Sequence, residues 1–120
     1  MSGAFDARSA ADAYRALGLG VPVSSRDVLL QAPDIAENGG SVRITFGTAL
    51  PGVRRVLLLV DRNPAVLSAV FEPSESVEAV FTLQVKMAQS STVHAVALMQ
   101  DGRLLAATKD VRVTLGGCGA

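Results

Sequence analysis

A single cysteine near the end of this chain is the residue whose type and surroundings most favour chemistry. Cys118 is the only cysteine among 120 residues, and Gly116, Gly117 and Gly119 surround it. A free cysteine usually behaves as a small buried apolar side chain, but a cysteine in a terminal glycine run has little to bury it. Because an exposed thiol oxidises and cross-links readily, an unneeded one is a liability. The pattern therefore favours a reactive or carrier thiol on a flexible arm.

The other residues that are capable of chemistry have structural interpretations. His94 is the only histidine, and a metal site needs several ligands at fitting spacing, so no metal site is predicted. No nucleophile-elbow motif marks any serine. Glu72, Glu75 and Glu78 surround Pro73, which is typical of a solvated turn rather than a pair of catalytic carboxylates. The sequence thus predicts a chain without catalytic residues or a cofactor.

Composition narrows the classes of function further. Eleven basic residues balance eleven acidic ones, and no basic stripe supplies the phosphate-neutralising charge that nucleic-acid binding needs. The longest apolar run, Val56–Val60, is far shorter than the roughly 20 residues that cross a bilayer. Acidic and basic residues interrupt the first stretch, so we expect no secretion signal in the sequence itself. Nucleic-acid binding and membrane insertion are both excluded.

The elements that must position the cysteine follow from periodicity. Ser9 and the apolar residues after it predict a short capped helix that ends at Gly18. Beyond residue 26 the pattern alternates with a period of two, as expected of strands with one buried face. The run Arg54–Asp61 is different, because its continuous apolar centre implies that both faces are covered.

Seven strands separated by turn signals predict an immunoglobulin-like antiparallel β-sandwich, with an open barrel as the alternative. The predicted strands are Val28–Leu30, Val42–Phe46, Arg54–Asp61, Val66–Phe71, Val77–Met87, Thr92–Met99 and Arg103–Leu115. In the last strand the alternation slips near Lys109 and Asp110, which predicts a bulge or break. The predicted organisation is a disordered segment 1–8, a helix at 9–18, the sandwich at 26–115 and a tail at 116–120.

Three segments carry a resemblance to a known family. Residues 111–120 read Val-Arg-Val-Thr-Leu-Gly-Gly-Cys-Gly-Ala, residues 32–39 read Ala-Pro-Asp-Ile-Ala-Glu-Asn-Gly, and Asn63-Pro64 follows a strand. Their order and spacing resemble the SoxY family, the sulfur-compound carriers of the bacterial sulfur-oxidation (Sox) system. That family usually ends Gly-Gly-Cys-Gly-Gly, and here Ala120 replaces the last glycine.

The resemblance implies a periplasmic carrier that forms a heterodimer with SoxZ and holds intermediates covalently on Cys118. A cytochrome-type partner, SoxAX, would join thiosulfate to the sulfur oxidatively. The manganese-dependent hydrolase SoxB would then release sulfate, and the sulfane dehydrogenase SoxCD would oxidise the sulfur left behind. The carrier itself would catalyse nothing and would need no cofactor.

The alternative function is an immunoglobulin-like interaction module whose cysteine forms an intermolecular disulfide. The carrier interpretation needs an arm that reaches a recessed catalytic centre. Extended, residues Thr114 to Cys118 span up to about 17 Å. Gly116 and Gly117 lack a Cβ atom, so they permit backbone conformations closed to other residues and fit a narrow channel.

The first prediction concerns the reactivity of the isolated thiol. The nearest cations in sequence, Lys109 and Arg112, belong to the last strand, so the sequence provides no local cause for a lowered thiol pKa, and the reference value of about 8.5 is expected. Partner active sites would then supply the activating charge. The rate of alkylation of Cys118 against pH measures this, and a midpoint well below about 7 in the isolated protein would contradict it.

Overall fold

The computed structural model describes residues 9–73 and 78–115. These residues form one helix and nine strands, arranged as two sheets with an apolar core between them. The elements are α1 (Ala10–Ala16), β1 (Val23–Ser24), β2 (Val28–Gln31), β3 (Ile35–Ala36), β4 (Val42–Thr48), β5 (Val53–Val60), β6 (Leu67–Phe71), β7 (Ala79–Val85), β8 (Ser91–Met99) and β9 (Leu104–Val113). No helix in these two described ranges is long and apolar enough to cross a membrane.

The larger sheet has the strand order β1-β9-β8-β5-β6, and β3 also pairs with β9; the smaller sheet has the order β2-β4-β7. Alternate residues of each sheet point into the space between them, such as Ile44 and Phe46 from β4 and Leu58 from β5, and all three are fully buried. This is the predicted immunoglobulin-like sandwich, and its seven longest strands correspond to the seven strands predicted from the sequence.

The helix covers the outer face of the larger sheet. Ser9 caps it by accepting a hydrogen bond from the Asp12 amide, and Gly18 follows it with a φ of +73°. Ala13 and Tyr14 pack with Leu57 and Leu59 on the face of β5 that points away from the sandwich core. Covered by the core on one side and by α1 on the other, β5 is buried on both faces, as its continuous apolar centre predicted.

A polar cluster fixes the start of the helix. Asp61, which follows β5, accepts a hydrogen bond of 2.9 Å from the Ala10 amide through Oδ1. Its Oδ2 atom lies 2.8 Å from Nε2 of His94 in β8. His94 therefore has the structural role that the sequence predicted, because it orients the carboxylate that holds α1.

Strand β9 corrects one prediction, because it has no bulge or break near Lys109. Its pairing with β8 runs without a register shift from Leu104 to Val111. Leu105 and Val111 share one face of the strand and belong to the sandwich core. Lys109 occupies the same face but lies near the edge of the core, and its ammonium group pairs with Asp34 at 2.9 Å. The slip in the sequence pattern marks this inward lysine and not a change in backbone register.

Beside the predicted antiparallel pairs, the sandwich contains two short parallel pairings that the sequence analysis did not predict. Val23 and Ser24 of β1 pair in parallel with Leu105 and Ala106, and Ile35 and Ala36 of β3 pair in parallel with Arg112 and Val113. Each of these strands has two residues, which is too few to show any alternation. The predictions for segments 1–8 and 116–120 lie outside the described residues.

The second prediction uses the single tyrosine as a reporter of helix docking. Burial between α1 and the larger sheet, and secondly the negative charge of Asp61, raise the pKa of Tyr14 to about 12. Since the unfolded value is about 10, the protonated phenol contributes stability below pH 10 that is lost as pH rises towards 12. The chain has no tryptophan, so the near-ultraviolet absorbance of tyrosinate reports Tyr14 alone. A midpoint near 10 while circular dichroism still shows a folded chain would contradict the docking.

Candidate functional site

The described chain ends at Leu115, so the site is defined by how the end of β9 is held. Cys118 and the glycines Gly116, Gly117 and Gly119 lie outside the described residues. The predictions that Cys118 is exposed and that the glycines form a mobile arm therefore remain predictions. What the structure supplies is the base from which these residues extend.

A clamp of backbone hydrogen bonds holds one side of that base. The Arg112 amide donates to the Asp34 carbonyl at 3.0 Å, and the Thr114 amide donates to the Ala36 carbonyl at 3.1 Å. The Gly39 amide then donates to the Leu115 carbonyl at 2.7 Å. Residues 34–39 thus follow the end of β9 as far as Leu115. They belong to the segment Ala32–Gly39 that, with the tail, carried the family resemblance in the sequence.

A serine holds the other side. The last pair between β8 and β9 is Ser91 with Val111, and beyond it β8 offers no further paired residue. The hydroxyl of Ser90 replaces the missing partner, because its Oγ accepts a hydrogen bond of 2.8 Å from the Val113 amide. Sequence analysis missed Ser90, since a serine in a polar run between strands gives no signal of such a role.

Asn63 connects the clamp to the rest of the sandwich. Its side-chain amide donates to the Lys86 carbonyl at 2.6 Å, and its Oδ1 accepts from the Ala88 amide at 3.1 Å. The buried Met87 lies between these two residues, and its amide donates to the Gly39 carbonyl at 2.7 Å. All three segments that carried the resemblance are therefore joined in one hydrogen-bonded unit, which ends at Leu115.

Two apolar side chains are exposed beside the base. Ile35 is 53% exposed and Leu115 is 65% exposed. Ile35 lies in β3, which pairs with the end of β9. Burying such side chains against a partner is favourable by about 25 cal/mol per Å² of apolar surface, so they give this end of the sandwich a surface that suits transient contact.

An open groove of about 590 Å³ lies next to these residues. It is lined by side chains from the turn after β5, from the start of β8, from the end of β9 and from the start of β3; these are Asp34, Ile35, Arg62, Ser90, Ser91, Thr92, Asp110, Val111 and Arg112. Seven of its nine lining residues are polar, and they include two arginines and two aspartates. Nothing in the sequence analysis singled it out, because its lining comes from four separate segments.

The other candidate residues are not brought together. Glu72 is exposed and pairs with Arg55 at 3.0 Å, Glu78 is exposed, and Glu75 lies outside the described residues. Within 9–73 and 78–115, no group of three or more histidine, cysteine, aspartate or glutamate side chains is arranged to hold a metal ion.

The comparison with protein families gives a match that extends over most of the chain. The family described as sulfur oxidation protein SoxY matches residues 14–118, a range that includes the clamp, Asn63 and Cys118. No curated protein sequence matches the chain.

The solved structures that are similar to this chain include a member of the same family and superoxide reductases. The sulfur carrier protein SoxY from Chlorobium limicola f. thiosulfatophilum is 27% identical, with a TM-score of 0.76 over 88% of this chain and 96% of that chain. A superoxide reductase (neelaredoxin) from Ignicoccus hospitalis is 18% identical, with a TM-score of 0.59 over 73% and 80%. A putative superoxide reductase from Thermotoga maritima is 15% identical, with a TM-score of 0.65 over 77% and 93%. At these lower identities the reductases share the fold alone.

The third prediction tests the connection through Asn63. Asn63→Ala removes both side-chain hydrogen bonds to the 86–88 loop, so the free energy of unfolding should fall by about 1–3 kcal/mol. Amide hydrogen exchange should also accelerate at Met87, whose amide donates to the Gly39 carbonyl, and at Gly39, whose amide donates to the Leu115 carbonyl. Gln84→Ala is the control, because among the described residues the Gln84 side chain accepts a single, exposed hydrogen bond, from Ser41. Unchanged exchange at Gly39 in Asn63→Ala would show that the connection does not support the clamp.

Proposed function

This chain belongs to the SoxY family of sulfur oxidation proteins, and on that premise we propose that it carries thiosulfate-derived groups bonded covalently to Cys118. Its role in sulfur oxidation follows from the family. The identity of the attachment atom is the finer part of the proposal. It is supported by residue type, since Cys118 is the only thiol in the sequence.

The observation that carries the proposal is the clamp at the end of β9. Hydrogen bonds accepted by the carbonyls of Asp34 and Ala36 and donated by the Gly39 amide hold the backbone up to Leu115, three residues before Cys118. A carrier needs a fixed base and a short segment that enters a partner, because the docking surface then sets where the thiol can go. The same arrangement gives no advantage to a cysteine without a function.

The clamp shortens the arm that the sequence suggested. The earlier span of about 17 Å began at Thr114, but Thr114 and Leu115 are both held by hydrogen bonds. The free reach therefore begins after Leu115, and three residues to Cys118 span at most about 10 Å. A partner must bring its catalytic centre within that distance of the sandwich surface, so we propose close docking of each enzyme around Ile35 and Leu115.

The proposed chemistry assigns the reactive steps to partners. Joining thiosulfate to the Cys118 thiolate forms a sulfur–sulfur bond and gives –S–S–SO₃⁻ with release of two electrons, which a cytochrome partner such as SoxAX would accept. Hydrolysis by a SoxB-type enzyme adds water to the sulfonate sulfur, releases sulfate and two protons, and leaves –S–S⁻ on the carrier. A SoxCD-type dehydrogenase would oxidise that remaining sulfur.

The cellular setting and the stable partner are further parts of the proposal. We infer a periplasmic location and a heterodimer with a SoxZ chain, both from membership of the family. The exposed apolar residues Ile35 and Leu115, and the edge strands β6 and β7 of the two sheets, offer surfaces on which a second chain can pair or pack.

The fourth prediction is the direct test of covalent carriage. The protein is incubated with SoxZ-type and SoxAX-type partners and thiosulfate, and its intact mass is measured without reductant. The expected result is one added thiosulfate unit on Cys118, removed by a thiol. Cys118→Ser should abolish loading while leaving the melting temperature nearly unchanged, because an exposed terminal thiol contributes little to the core. A doubled mass with no adduct would instead indicate a disulfide-linked interaction module.

The fifth prediction concerns the glycines of the arm. Replacing Gly116 and Gly117 together by valine adds branched side chains that stiffen the backbone and widen the segment. Loading and unloading by partner enzymes should slow at least several-fold, whereas loading by the small reagent tetrathionate should be unaffected. That second reaction controls for access to the thiol. Wild-type rates with every partner would show that the arm does not enter a narrow channel.

A further inference from the structure

A small pocket lies on the outer face of the larger sheet, beside α1. It has a volume of about 250 Å³ and shares no lining residue with the groove near the clamp. Its walls come from α1, from the segment around β1, and from β8 and β9; the lining residues are Tyr14, Pro22, Ser24, His94, Ala106 and Thr108. Carriage of sulfur on Cys118 gives this pocket no role.

Strand pairing explains why these residues meet. His94 in β8 pairs with Thr108 in β9, and Ser24 in β1 pairs with Ala106 in β9. Paired residues lie side by side on the same face of a sheet. Tyr14 of α1 belongs to the same apolar cluster as Ala106, so the helix closes one side of the pocket. Ser24 and Thr108 are exposed and form its rim.

Two mostly buried side chains in this pocket each have a polar atom without a partner. Nε2 of His94 lies 2.8 Å from Oδ2 of Asp61, and within 9–73 and 78–115 the other ring nitrogen, Nδ1, and the Tyr14 hydroxyl form no hydrogen bond. Every buried side-chain nitrogen or oxygen in those two ranges has a partner. Nδ1 and the hydroxyl are therefore accessible from outside the fold, and both residues line the pocket.

These two atoms have complementary hydrogen-bonding roles. A carboxylate only accepts hydrogen bonds, so the proton of the neutral His94 ring lies on Nε2 and Nδ1 is an acceptor. Burial, and secondly the charge of Asp61, raise the pKa of Tyr14 to about 12, so its hydroxyl keeps its proton at neutral pH and is a donor. One acceptor and one donor match a hydroxyl group, which can both donate and accept.

The rest of the lining favours a neutral ligand. It includes no aspartate, glutamate, lysine or arginine, so a charged ligand would lose hydration without gaining a counter-ion. Pro22, Ala106 and the ring of Tyr14 supply apolar contact. A closed apolar cavity of roughly 150 Å³ is large enough to bind benzene, so this pocket has room for one ring.

We propose that this pocket is a binding site for a small neutral molecule with a hydroxyl group on an apolar body, of the class of phenols and short alcohols. The ligand hydroxyl donates to Nδ1 of His94 and accepts from the Tyr14 hydroxyl. The apolar body packs against Pro22 and Ala106. A bound ligand thus bridges α1 and the larger sheet, beside the contact through which Asp61 holds the start of the helix.

Titration with phenol tests the proposal, and toluene, which has the same ring without the hydroxyl, is the control ligand. The chain has one histidine and one tyrosine, so the ring signals of His94 and Tyr14 are unambiguous in nuclear magnetic resonance spectra. Phenol should shift the His94 Nδ1 signal and the amides of residues 94, 106 and 108 to saturation. A dissociation constant on the order of 1–10 mM is expected for so small a ligand, and toluene should bind several-fold more weakly.

Paired substitutions test the two hydrogen bonds. Tyr14→Phe removes only the hydroxyl, and His94→Gln keeps an N–H group for Asp61 while it removes the Nδ1 acceptor. In the double variant the preference for phenol over toluene should disappear, and in Tyr14→Phe alone it should fall in part. The control Thr45→Val/Thr82→Val removes two hydroxyls that bond to each other on the smaller sheet, and it should keep the preference. Melting temperatures check that each variant is folded.

The outcomes decide between a specific site and a simple depression in the surface. Saturable shifts at the pocket, with a preference for phenol that is lost in the double variant, support the proposal. Equal binding of phenol and toluene, an unchanged preference in the folded variants, or no saturable shift at Nδ1 overturns it. None of these results bears on whether partner enzymes load Cys118, which the intact-mass experiment decides independently.

Discussion

The hydrogen bonds between residues 34–39 and the end of β9 are the constraint on which the arrangement of the site depends. Without them, Thr114 and Leu115 would belong to the tail, and the position of the thiol relative to the sandwich would be set only by chain length. With them, the backbone is fixed to Leu115. Ser90 and the Met87–Gly39 contact support the clamp from β8 and from the loop that Asn63 holds.

Much of this fold is predictable because the sequence features that indicate each element lie within a single segment of the chain. The caps at Ser9 and Gly18, the alternation in β4, and the doubly buried centre of β5 each follow from residue type along one segment. The parallel pairing of β3 with β9 is not predictable in this way, because it joins backbone atoms of residues that are far apart in sequence and depends little on which side chains they carry. The inward Lys109 misled the prediction for β9, since a charged residue on the core face imitates a change of register.

The same distinction applies to the site. Cys118 stands out as a candidate in the sequence because it is a lone thiol among glycines. The places of Ser90 and Asp34 at the clamp, and of Arg62 in the groove, depend instead on segments that only the fold brings together. Three consecutive residues show this well: Asp61 holds the start of α1, Arg62 lines the groove, and Asn63 holds the 86–88 loop. One turn after β5 thus connects the helix, the open groove and the loop beside the clamp.

The position of β9 has a consequence for how the chain folds. This strand is synthesised after the other eight described strands, yet it is the neighbour of β8, β1 and β3, and the contact between Thr114 and Glu37 joins residues 77 apart in sequence. Contacts between distant residues slow folding, because the entropy of loop closure is lost before the contacts form. The larger sheet therefore stays incomplete, with the edge of β8 unpaired and prone to aggregation, until β9 has been synthesised and has paired with it.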